Sequence, residues 1–364
     1  MTTAKWRIGV FCAFAIAAPA AQAAEWSPAL QQVIAKAREE GKIQLTTPPN
    51  VMGGADGTAI IEAGIEKTFG VKIAIEWAPS GAMGALAAKL YEEYRAGGPS
   101  SSDLVALAAV QILPYLDKGL FRKTDWPALL PGRITPEIVE GDGQALRLDA
   151  TLTSILYNPR VAPWVKDVQV MDDLLRPEFK GKYATTVFLA GFDVLIAKDA
   201  WGIEKTTDYV TRMVPQLNGL MHCDSEDRVA AGETGAIVLD CTGGAPNRLK
   251  FRGTGVLATK TMRDAAHRRY YYALITSNAP HPNAAILYTL YLSTPEGQRK
   301  VLYDLDGNDL DSYPESANGA RVKEEAAQGV TFHDVTLDWW RSQQSPELAA
   351  AQRNLVKLIE RLPQ

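Results

Sequence analysis

The sequence predicts an α/β fold divided into two lobes. From Lys42 onward, short β-branched runs alternate with amphipathic helical ones, and a second block of the same kind runs from about Asn158 to Lys260. Alternation of this sort implies parallel sheets with helices on both faces. After an N-terminal leader the chain still runs from Ala24 to Gln364, long for one domain and comfortable for two.

The leader sets the expected compartment. Lys5 and Arg7 form a short positive region, Ile8 to Ala18 is apolar throughout, and Ala21-Gln22-Ala23 supplies small residues at signal-peptidase spacing. That order of charge, apolar core and cleavage site is a secretory signal peptide. The apolar run is too short to span a bilayer, which takes about 20 residues. Gly9-Val10-Phe11 ahead of Cys12 does not look like a lipoprotein signal. Cleavage near Ala23 and release into the periplasm without a lipid anchor are expected.

Charge and composition exclude little else. The formal net charge is −4, and losing Lys5 and Arg7 makes it more negative, with no basic stripe for nucleic acid. Beyond Cys12 the chain holds Cys223 and Cys241, and in an oxidising compartment an isolated pair favours a bridge. Cys223 follows the apolar stretch Gly219 to His222, and Cys241 follows Ala236 to Asp240. Between them Ser225 is placed to cap a short helix, Glu226 to Ala231, closed by Gly232. This reads as strand, helix, strand, with the cysteines at the carboxyl ends of adjacent parallel strands.

The first block is expected to contain a strand at Lys42 to Thr46, a Gly-rich loop from Thr47 to Gly57 and a helix from Thr58 to Phe69. A strand Val71 to Trp77, a turn Ala78 to Gly81, a helix Ala82 to Arg95 and a strand Asp103 to Ala108 follow. Ala145 to Tyr157 is a long extended stretch broken by Asn158-Pro159. The second block contributes a strand Lys182 to Thr186, a helix from Phe192 to Trp201 and the cysteine unit. Tyr270 to Thr276 is a further strand, Ala284 to Leu292 a helix, and Ser345 to Leu362 an amphipathic tail helix.

Several stretches resemble the extracellular solute-binding proteins of ABC importers, in the branch of ferric-iron, thiamine, polyamine and phosphonate binders. Ile155 to Val161 resembles the segment where such chains first cross between lobes. Met171 to Lys182 is similar to the run opening their second lobe, and Arg228 to Glu233 with Ala236 to Val238 matches a unit within it. His281 to Ala285 and Ser293 to Gln298 resemble a late helix and the turn that ends it. The likeness covers roughly Gly41 to Lys300.

It implies a type II-like periplasmic-binding-protein fold, with hinge-linked lobes and a ligand cleft between. Lobe one would hold residues 24–149 and 274–364, and lobe two 150–273, with crossings near 149–157 and 268–276. A ligand touching both lobes would favour the closed state, which a membrane permease would recognise. The chain is expected to work as a monomer, without a cofactor and without nucleic acid as a partner.

In sheets of this kind ligands bind beyond the carboxyl ends of the strands. The candidates on lobe one are therefore Thr46 and Thr47, then Asn50, Gly53 and Gly54 in the loop, with Ser80 and Gly81 at a helix start where free N–H groups favour an anion. A plain helix cap is an equal reading of Ser80. Trp77 reads as packing before stacking, and Tyr157 is placed at the crossing. On lobe two the candidates are Thr185, Thr186, Thr242, Gly243 and Gly244. Tyr270, Tyr271 and Tyr272 alternate across a strand, so one or two of them should face the core.

Ferric binders of the branch place adjacent tyrosines after the strand matching Ala236 to Asp240, where this chain has Cys241-Thr242-Gly243-Gly244. That departure argues against ferric iron held in that way and leaves a small organic solute, with an anionic group favoured by the Thr, Ser and Gly loops and a cationic amine still open. Asp304, Asp306, Asn308 and Glu315 fall at calcium-loop positions, but Asp309 stands where that loop needs Gly, and a solvated acidic loop is the plainer reading. Catalysis has little support: there is no H-E-x-x-H and no G-x-S-x-G, and the four histidines are scattered. A periplasmic sensor subunit would read the same in sequence.

Overall fold

The computed structural model describes residues 26–359, except 189 and 224. The expected signal peptide and its cleavage site lie outside the described residues. Helix α1 (Pro28–Glu40) opens with the Ser27 hydroxyl accepting the Leu30 N–H and buries Leu30, Val33, Ile34 and Ala37 on one face. Strand β1 (Lys42–Thr47) alternates in burial as its KIQLTT pattern requires. Helix α2 (Gly54–Phe69) starts earlier than expected, because the small residues of the Gly-rich loop enter its first turn. Strand β2 (Ala74–Pro79), helix α3 (Met83–Arg95), strand β3 (Leu104–Ala108) and helix α4 (Ala109–Leu116) follow.

Strands β4 (Val139–Glu140), β5 (Ala145–Leu152), β6 (Ile155–Tyr157), β7 (Ala184–Thr186), β8 (Leu220–Met221), β9 (Ala236–Val238), β10 (Ala258–Lys260), β11 (His267–Ile275) and β12 (His333–Val335) complete two sheets. The first has the order β2-β1-β3-β11-β5-β4, with β12 added to β11; the second has the order β10-β6-β9-β7-β8. Each has its own buried apolar cluster. In the first sheet β1 is parallel to β2 and β3, while β11 runs antiparallel to both β3 and β5.

β11 and two helices also depart from the sequence reading. The whole of β11 belongs to the first sheet, so the second crossing precedes His267 and does not lie within 268–276. The helix expected from Phe192 to Trp201 is a single turn, Phe192–Leu195, followed by an amphipathic helix Gly202–Met213. The tail helix Pro346–Ile359 buries Leu348, Ala351, Leu355 and Ile359 in the second cluster, beside Gly202–Met213, rather than with the first lobe.

Candidate functional site

The two sheets meet where β5 gives way to β6, through Thr153 and Ser154, and where the chain returns into β11. The carboxyl ends of β1 and β3, and those of β7 and β9, lie toward this junction.

The structure places the sequence-predicted residues unequally. Thr46 is half-buried, and its hydroxyl makes no hydrogen bond among the described residues. Thr47 is buried and accepts the Trp77 indole N–H at 2.9 Å, so Trp77 is fixed to the strand end as packing. Asn50 is a half-buried turn residue with no side-chain bond among the described residues. Ser80 does not cap α3, which starts after Ala82. Its amide donates to the Thr47 carbonyl, and its hydroxyl is buried without a partner. Gly81 is exposed beside it.

Tyr157 is not at the crossing. It lies opposite Ala236, at the start of β9 and away from the carboxyl end, and it is buried in the second apolar cluster, which raises its pKa. Thr185 and Thr186 end β7 as expected, but both are buried and committed. Thr185 donates to the Val238 carbonyl, and Thr186 accepts the Ala190 N–H. They shape the loop after β7; the Thr185 proton is spent on Val238, whereas the Thr186 O–H has no acceptor among the described residues.

Cys223 and Cys241 are bridged, with Cα atoms 5.5 Å apart. Their strands are parallel but not adjacent: β7 lies between β8 and β9. The bridge therefore spans the carboxyl end of β7, drawing together loops from either side of it. Beyond Cys241, the Asp240 carboxylate accepts the Gly243 N–H at 2.8 Å. Gly243 has φ +62°, and a Cβ there would come within 2.4 Å of the Leu152 carbonyl oxygen, where β5 ends. Glycine is required by the closeness of the crossing chain as much as by the turn.

The two groups of predicted loops are joined by a segment given no such role in sequence, residues 305–309. The Asp306 carboxylate accepts the Gly53 N–H at 2.9 Å, its carbonyl accepts from the Arg248 guanidinium at 2.8 Å, and Asn308 donates to the Thr242 carbonyl at 2.9 Å. This accounts for the calcium-like spacing in another way. Asp304 pairs with Arg299, Asp306 and Asn308 hold backbone, and Glu315 pairs with Arg133. Among the described residues no group of three His, Cys, Asp or Glu side chains could hold a metal ion.

Burial pushes the Asp306 carboxyl up to about 7 and the Asp240 carboxyl up to about 6, against an ordinary value near 3.8. A carboxyl whose folded pKa is raised stabilises the fold fully below the unfolded value, and that contribution is lost as pH rises through the folded one. Asp306→Asn removes the ionisation. The stability of the variant relative to wild type is therefore expected to improve from about pH 4 to about pH 7, read from thermal midpoints across that range. A flat difference would show that folding leaves the Asp306 pKa unshifted.

The floor of the junction was missed in sequence. Tyr271 on β11 lies opposite Asp149 on β5, and Arg269 lies opposite Thr151. Opposed residues of an antiparallel pair share a face. Tyr270 and Tyr272 point the other way into the first core, and a register shift between Tyr271 and Tyr272 turns Arg147 to that side, over the Tyr270 ring. Arg269 pairs with Asp193, on the single-turn helix of the second lobe, so the Asp149 face looks across the junction. Along it, Asp149 Oδ1, Thr151 Oγ1, Arg269 Nε and His267 Nε2 are all buried without a hydrogen-bond partner. Buried polar atoms are nearly always bonded, so four orphans along one face leave it short of partners that water or a bound solute would supply.

Three solved structures show the same architecture. A substrate-binding protein of an ABC transporter from Agrobacterium tumefaciens superposes with a TM-score of 0.66 at 15% identity, covering 87% of this chain and 94% of its own. The apo ferric ion-binding protein A of Pasteurella haemolytica does so with a TM-score of 0.61 at 16% identity, covering 88% and 98%. A periplasmic binding protein of Actinobacillus pleuropneumoniae with fructose-6-phosphate bound gives 0.60 at 14% identity, again covering 88% and 98%. This chain has the two-lobed periplasmic-binding-protein fold. The superpositions cover 94–98% of those chains and so take in both lobes of the fold. No family model and no curated protein matches the sequence. No helix among the described residues is long and apolar enough to cross a membrane.

Proposed function

We infer that this chain is the periplasmic solute-binding subunit of an ABC importer, capturing one small organic solute between its lobes and passing it unchanged to a membrane permease. The observation that carries this reading is the row of orphaned polar atoms on the inter-lobe face of β5 and β11. A solute there would touch both lobes, and only such a ligand favours the closed arrangement.

Support for turnover is thin. The Cys223 and Cys241 thiols are consumed in the bridge. His267 donates from Nδ1 to the Ala265 carbonyl, and burial lowers its pKa well below the ordinary range, keeping it neutral. No hydroxyl lies bonded to it among the described residues, so it activates no nucleophile.

The expected anionic solute rested on the Thr, Ser and Gly loops. Thr185 spends its hydroxyl proton on Val238, Thr47 and Thr186 are buried acceptors, and Thr46, Asn50, Ser80 and Gly81 are left at the rim of the first lobe. Those groups orient a solute without choosing its charge. The proposed capture is tested by a thermal-shift screen of purified protein against a library of small metabolites. A true ligand at about 100 times its Kd adds roughly 2.7 kcal/mol to stability and is recovered unchanged. A chemically converted product, or no shift with any solute, would overturn the reading.

A further inference from the structure

Among the described residues, Arg248, Arg269, Asp306 and Asp309 each hold at least one partner, although Arg269 Nε and Glu226 Oε2 remain unbonded, and Asp149 holds none. Arg248 bonds Glu226 and the Asp306 carbonyl, and Arg269 pairs with Asp193. Asp306 is held by the Gly53 amide, and Asp309 by the Ser316 hydroxyl and the Ala317 and Asn318 amides. Asp149 is 7% exposed, yet neither carboxyl oxygen makes a hydrogen bond among the described residues, and Oδ1 is fully buried.

Such a group costs the fold free energy in either protonation state, because it lacks a donor when ionised and an acceptor when protonated. Burial, then the charges of Asp306 and Asp309, drive its pKa well above the usual carboxylate range. Where Asp306 and Asp309 are ionised they make the surroundings more negative, which disfavours an anion at Asp149 and favours a cation. Thr151, two residues along the same strand face, adds a buried hydroxyl without a partner, and Tyr271 stands directly opposite Asp149. A carboxylate flanked by hydroxyl oxygens suits a group with several N–H donors and a positive charge.

We propose that Asp149 anchors a positively charged nitrogen of the captured solute, an ammonium or a guanidinium group, with Thr151 and Tyr271 as its further acceptors. The proposal rests on the solute-capture reading and changes the expected solute class from an organic anion to an organic cation. Recognition is by charge and donor count: the cation restores the ionised Asp149 that the empty site disfavours, and a neutral isostere of the same shape does not. Arg248 and Arg269 do not compete for Asp149, because each already holds another carboxylate.

The test compares wild type with Asp149→Asn, using primary amines, guanidino compounds and length-matched neutral alcohols and carboxylates in thermal shift, followed by calorimetric titration of the best binder. The expected result is that a cationic compound binds wild type best and binds Asp149→Asn roughly thirtyfold more weakly or worse, as befits loss of a buried charge partner. The unliganded variant should melt no lower than wild type, since no protein hydrogen bond is lost. The proposal is overturned if the best binder is neutral or anionic, if the variant binds the cation within twofold of wild type, or if the unliganded variant melts well below wild type. If no compound of any charge shifts wild type, the capture reading fails, and this proposal with it.

Discussion

Gly243→Ala is expected to lower stability by about 3 kcal/mol and to weaken solute capture as well. Two effects combine. A non-glycine residue at φ +62° is strained by about 1–3 kcal/mol. The added methyl would also lie 2.4 Å from the Leu152 carbonyl oxygen, which is backbone and cannot swing aside. Relief requires the 241–244 loop to move away from the end of β5, breaking the Asp240 to Gly243 bond and shifting the Thr242 carbonyl from Asn308. The thermal midpoint should fall by several degrees, and any solute that stabilises wild type should bind the variant more weakly. A variant that melts with wild type would show that the loop and the crossing strand do not meet as described.

The second large effect is expected from opening the disulfide. Cys223 and Cys241 are separated by 18 residues, and closing a loop of that size restricts the unfolded chain by about 3 kcal/mol. The double substitution Cys223→Ser with Cys241→Ser should therefore lose roughly that much, and wild type treated with a thiol reductant should match it. The bridge lies across the end of β7, so its removal also releases the loop that Thr186 shapes through Ala190. Denaturation of oxidised, reduced and substituted protein, with free thiols counted, checks this. Equal stability of all three forms would show that the bridge adds nothing to the fold.

Much of the scaffold was legible because it is locally determined. The period-two burial of β1, the stop of α1 at Gly41 and of α2 at Gly70, and the strand–helix–strand order around the cysteines all follow from short-range patterns. Strand order within a sheet does not. Nothing in the run from Cys223 to Cys241 reveals that β7, some forty residues earlier in the chain, lies between their strands. Tyr157 was misplaced for a related reason: β6 is three buried residues long, and its antiparallel register against β9 carries the tyrosine away from the junction.

The rim of the site was partly visible and its floor was not. Asp149 and Thr151 sit within an extended stretch whose neighbours are apolar, and Arg269 and Tyr271 are more than a hundred residues away. The available signal was a polar residue at every second position of both strands: Arg147, Asp149 and Thr151 on one, His267, Arg269 and Tyr271 on the other. That pattern marks a polar face, but it cannot say that the face is buried or that the strands pair. It also misassigns Arg147, which the register shift turns to the opposite side.

Capture of a solute by closure of two lobes is tested most directly by small-angle scattering. With a solute that raises the thermal midpoint of wild type, the radius of gyration should fall on saturation at one solute per chain and return when the solute is dialysed away unchanged. Saturation without any change in the scattering curve would contradict the account.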